Sequence, residues 1–170
     1  MRSVQFLLAL LLIPVTVFAF DFKGVALGAP VTPDQILEKL GVRCGAGIVG
    51  TQVCNGGVTI ARESATLNLV IGTEGNVRRI DLTLSPQSFD VVAPLMIEKF
   101  GTPTKTTRSE LQTRMGVKVD QITHWWRNDA EFEVSYRKYA GTLDSSNLYF
   151  STKEDREILS KPRVNRRGDL

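Results

Sequence analysis

The chain has 170 residues, 23% of them charged, with a net charge of +3 and a single histidine. So weak a basic excess, much of it in the last dozen residues, is no electrostatic footprint for nucleic acid. Two cysteines and one distant histidine leave a zinc site short of ligands.

The N-terminus reads MRSVQFLLALLLIPVTVFAF, with one basic residue, Arg2, ahead of an apolar run from Phe6 to Phe18. Val17 and Ala19 form a small-x-small-like pair, so residues 1–19 have the layout of a secretory signal peptide cleaved after Ala19. The run is shorter than the roughly 20 residues of a membrane-spanning helix. No cysteine stands at the cleavage point to carry a lipid; the first is Cys44. The mature protein is therefore expected to be soluble and periplasmic or secreted. The lack of any Asn-x-Ser/Thr acceptor leans towards a periplasm. About 150 residues remain, enough for one domain that buries roughly 70% of its unfolded surface. That domain is expected over 20–152, in halves 20–85 and 86–152.

The first element, FDFKGVALG, alternates apolar and polar residues as an edge strand does. VTPDQILEKLG then predicts a short helix. Thr32 suits the N-cap, Pro33 the first turn and Gln35 the capping-box partner, with Ile36, Leu37 and Leu40 as the apolar stripe and Gly41 as the stop. Cys44 and Cys54 flank a Gly-rich loop, and in an exported chain they are expected to form a disulfide. Closing so short a loop should stabilise by roughly 2.5–3 kcal/mol on the entropy model. GGVTIARE reads as a strand. ATLNLVIGT and VRRIDLTLS read as a hairpin about EGN, with Ala65, Leu67, Leu69 and Ile71 facing Ile80, Leu82 and Leu84.

SPQSFDVVAPLMIEKFG predicts a second helix with Val92, Met96 and Phe100 on one side, kinked at Pro94 or made regular from it. The polar segment TPTKTTRSELQTRMG is expected to be a long loop. VKVDQITHWWRN and EFEVSYRKY make a second hairpin turning at Asn128 and Asp129, and NLYFST a last strand. Residues 153–170 are charged without apolar period, and a frayed helix or disordered tail is expected there. ILEKLG and MIEKFG end the two helices alike, and three strands are read after each. The fold class is thus α+β, an antiparallel sheet with helices on one face in an αβββ–αβββ order.

The chemistry-bearing residue types gather in THWWRND. Strand alternation places Ile122, His124 and Trp126 on one face and Thr123, Trp125 and Arg127 on the other. The first set is expected in the core, with His124 half-buried and structural. Thr123, Trp125 and Arg127, together with Tyr136, form the candidate binding surface; alternatively Trp125 is covered, or packs on Arg127 as a cation–π pair. Carboxylates such as Asp81, Asp120, Glu131 and Glu133 are scattered without acid/base spacing, and no nucleophile elbow is present. No catalytic residue, metal or cofactor is implied.

The opening FKGVALGAPVTPDQILEKLG resembles the G-x-T-x-x-Q-V-x-x-x-L-G starts of two families. These are the β-lactamase inhibitory proteins and the small lipoprotein subunit of the outer-membrane assembly machine. The chain departs from the first in having no cysteine in its second half, and from the second in lacking a lipidated N-terminal cysteine. Both families act by binding other proteins. What the residues and the resemblance together imply is a non-catalytic exported protein that binds another exported or envelope protein. The alternative is a module for a small ligand or cell-wall fragment, and the discriminating feature is a flat apolar patch against a pocket with convergent polar groups.

Overall fold

The computed structural model describes residues 20–48, 50–112 and 116–160. The expected leader and the last ten residues of the expected tail lie outside them. A miniature hairpin, β1 (Asp21–Phe22) and β2 (Val25–Ala26), precedes helix α1 (Pro33–Leu40). The capping box of α1 is complete. Gln35 N–H donates to Thr32 Oγ1 at 3.3 Å, and Thr32 N–H donates to the Gln35 side chain at 3.0 Å. Gly41 closes the helix in the left-handed region at φ 70°, and Ile36 and Leu40 enter the core.

Four strands follow: β3 (Arg43–Ala46), β4 (Gln52–Ile60), β5 (Glu63–Ile71) and β6 (Val77–Leu84). A single 3-10 turn at Pro86–Ser88 leads into α2 (Phe89–Phe100), which contains Pro94 in its interior. Four more strands come next: β7 (Lys105–Gln112), β8 (Lys118–Asn128), β9 (Phe132–Arg137) and β10 (Ser146–Thr152). Helix α3 (Lys153–Ser160) is last. The strands form one eight-stranded antiparallel sheet in the order β3-β4-β5-β6-β10-β9-β8-β7. Each half is a helix followed by a four-strand meander, and the halves meet at β6 and β10.

The architecture is α+β with an antiparallel sheet, as expected. The repeat unit carries four strands rather than three, because each half adds an edge strand to those read from the sequence. In the first half it is β3, inside the cysteine loop. In the second it is β7, inside the segment expected as a long loop. Both edges are wet on both faces, with no buried residue in either, so no apolar alternation marks them. Residues 153–160 are likewise an ordered helix rather than frayed tail.

Helices α1 and α2 cover one face of the sheet. Ile36, Leu40, Phe89, Val92 and Met96 join the inward rows of β5, β6, β9 and β10 in one core. The expected inward set Ala65, Leu67, Leu69, Ile71, Ile80, Leu82 and Leu84 is buried throughout. Helix α3 lies instead across one end of the opposite face. Register shifts between Val70 and Ile71, where Arg78 is the extra residue on β6. The bulge lets neighbouring Arg78 and Arg79 both reach Asp155 of α3, at 3.6 and 3.3 Å, while Arg78 also meets Glu154 at 3.2 Å. Gly72 is needed beside it, since a Cβ there would sit 2.5 Å from Arg78 Cδ. Arg156 clamps α3 further by donating to the carbonyls of Asp129 and Ala130, each at 2.9 Å.

Candidate functional site

The face opposite α1 and α2 can be read row by row from strand register. One row runs Lys105, Trp125, Ser135, Tyr149, Asp81, Asn68 and Asn55 across seven strands. The next runs Thr107, Thr123, Arg137, Asn147, Thr83, Thr66 and Gly57. The second-half end of these rows floors an open cleft of about 620 Å³ on β7, β8 and β9. Its wall is the β9–β10 loop, including Tyr139 and Leu143.

That loop is fastened from below. Gln121 is 7% exposed and accepts from Tyr139 N–H at 3.0 Å, while its amide nitrogen lies 3.4 Å from Thr123 Oγ1. Lys138 N–H donates to the Ile122 carbonyl, and Ala140 N–H to that of Ser145. Lys138 points to the helix side, where it pairs with Asp90 at 3.2 Å and lies over the Phe89 ring. Arg137, one residue away, points by alternation into the cleft and is exposed, with no hydrogen bond or ion pair among the described residues.

The two tryptophans take opposite faces, as alternation requires. Trp126 is 5% exposed in the core, and its indole N–H donates to the Gly101 carbonyl at 2.7 Å. Trp125 is half-buried and lines the cleft, and its indole nitrogen is screened from solvent without a hydrogen-bond partner. A donor left unsatisfied in this way costs the fold about 1–3 kcal/mol. Thr123 also lines the cleft.

The other two residues of the expected surface lie elsewhere. Register shifts between Trp125 and Arg127, so Arg127 pairs with Val134, a core residue. The bulge thereby turns Arg127 to the helix side. There it bonds Asp129 and lies 5.3 Å over the Phe132 ring, not over Trp125. Tyr136 pairs with His124 and is fully buried, its ring 4.7 Å from that of Phe89. Burial pushes the Tyr136 hydroxyl up to about 12, against a weak contact with Ser146. Arg137, Tyr139 and Gln121 take their places in the site. Arg137 was readable, since alternation along FEVSYR puts it opposite Val134 and Tyr136.

His124 is half-buried and stacked on Phe89 at 5.4 Å, with Nδ1 2.9 Å from Thr106 Oγ1. Burial first, then the charge of Arg108, hold its pKa below the usual imidazole value. It sits on the helix side, away from the cleft. On the outward face, burial raises the pKa of Asp81 against the hydrogen bond from Asn147 and the charge of Arg79. Cys44 and Cys54 are register partners across β3 and β4 and form the expected disulfide. Among the described residues no group of three His, Cys, Asp or Glu side chains is placed to hold a metal, and no helix is long and apolar enough to cross a membrane.

No protein-family model matches this chain, and neither the curated proteins nor the solved structures include a significant match to it.

Proposed function

We propose that this chain is an exported, non-catalytic protein that binds another exported or envelope protein through the face of its second half opposite α2. The observation that carries the reading is Trp125, a large aromatic held in an open cleft with its indole donor unsatisfied. Tryptophan and arginine dominate the binding energy of protein interfaces, and here Arg137 and Trp125 share one cleft. The leader-like N-terminus and the disulfide support a periplasmic setting. The resemblance of the opening residues to two families of protein binders is consistent with it by analogy.

A small ligand or cell-wall fragment is the second reading, favoured by the concavity itself and by the polar side chains of Thr123 and Tyr139 that converge on it. Capture from envelope extract separates the two. Tagged protein should retain a protein partner that its Trp125→Ala variant, melting alike, does not. Equal capture by both would remove Trp125 as the anchor, and capture by neither would favour the small ligand.

A further inference from the structure

The cleft around Trp125 is unbalanced in charge. Among the described residues none that lines it is a carboxylate, while Arg137 enters it unpaired. Lys105, the register partner of Trp125 on β7, is exposed on the same face and is also without an ion pair among the described residues. The nearest acids are otherwise engaged. The Asp144 carboxylate is bonded by Thr142, and Glu133 accepts from Ser135 at 3.4 Å. Elsewhere Arg78, Arg79, Lys99, Lys118 and Lys138 each have a carboxylate within 4 Å, whereas Lys23, Lys39, Arg43, Arg62 and Arg108, like Arg137 and Lys105, have none among the described residues. Two unpaired cations flanking the Trp125 ring make a surface complementary to an anionic chain.

We infer that the cleft receives an extended acidic peptide segment, with one carboxylate on Arg137, a second towards Lys105 and the chain packed on the Trp125 ring. The inference rests on the protein-binding reading above and names the chemistry of the partner. Spacing supports it. Arg137 lies across from Thr123 and Lys105 across from Trp125, two residues along β8 and on its other side. Strand geometry puts their Cα atoms about 12 Å apart, which an extended chain spans in about four residues. Side chains four residues apart on such a chain point the same way. A neutral oligosaccharide would leave both cations unanswered.

The test follows the two indole N–H signals of 15N-labelled protein, with Trp125 assigned through Trp125→Phe. The probes are a pool of N-acetylated, C-amidated heptapeptides with Glu fixed at the second and sixth positions, the matching pool with Gln, and an N-acetylglucosamine tetramer. The Glu pool should shift the Trp125 signal, the Gln pool should not, and salt should weaken the effect. Arg137→Gln, at an exposed site, should weaken binding by roughly tenfold, the scale of one charge-assisted hydrogen bond, and Lys105→Gln by less. Equal binding of the Glu and Gln pools, no shift with either, or undiminished binding by Arg137→Gln would overturn the acidic segment. None of these three results touches capture through Trp125, which tests the broader reading separately. A shift with the oligosaccharide alone would overturn both.

Discussion

The two halves share one plan, helix then four-strand meander, yet their outward faces differ in kind. Along the row that contains Trp125, the first half presents Asn68 and Asn55, whose side chains bond each other at 2.8 Å. Along the row of Thr123 and Arg137 it presents Thr66 and Gly57. The Asn68 side-chain oxygen and the Nε atoms of Arg78 and Arg79 are without hydrogen-bond partners among the described residues in this half too, and its edge is tied by the Cys44–Cys54 bridge. The second half has no covalent tie and carries an arginine and a tryptophan with donors to spare. On these two rows the first half carries small side chains, and the second sets an arginine and a tryptophan in a cleft.

The largest expected effect sharpens the contrast between neighbouring residues of the second half. Trp126→Ala should destabilise by about 3–5 kcal/mol, as large-to-small core substitutions do, and also lose the bond to Gly101. Trp125→Ala should cost much less, since it removes an outward side chain with an unpaired donor. Denaturant titration of the two variants measures the difference, and similar losses would erase the division between core and cleft.

The next tests the scaffold half. Replacing Cys44 and Cys54 together by alanine should lower stability by about 2.5–3 kcal/mol and leave partner capture unchanged. A double variant that melts like the parent would remove the bridge from the account.

A smaller effect is expected at the β8–β9 turn. Asp129 Oδ1 accepts from the N–H groups of Glu131 and Phe132, each at 2.9 Å. Those backbone bonds and Arg127 hold its carboxyl down at about 2. Asp129→Ala should cost about 1 kcal/mol by thermal melting at pH 7.

The smallest concerns His124. Its folded pKa lies below the ordinary value, so the unfolded chain binds the proton more readily. Its contribution is present above the ordinary histidine pKa of about 6.5 and is lost as pH falls through the depressed folded value. His124→Asn should flatten the decline in melting temperature between pH 7 and 5, while an unchanged slope would show that other groups set it.

The centre of the fold was legible because its strands are half wet. Leu67, Leu69, Ile80 and Leu82 alternate with polar residues and so declare both strand and face. The edges were not. In β7, KTTRSELQ has solvent on both sides, so alternation has nothing to record. Helix α3 escaped because a single buried acid, Asp155, holds it to two arginines brought together by a bulge. A second bulge, at Trp125 and Arg127, reversed the face of Arg127 against simple parity. Tyr136, expected on the binding surface, has His124 on the core side as its register partner. Trp125 and Thr123 were found because the parity of β8 is unbroken as far as Trp125.

The most direct test of the division between scaffold face and binding face compares capture by two outward substitutions, one in each half. Trp125→Ala should abolish retention of an envelope partner, and Asn55→Arg, an exposed site on the same row, should leave it intact. Retention lost with Asn55→Arg but kept with Trp125→Ala would contradict the assignment and move the binding surface to the disulfide half.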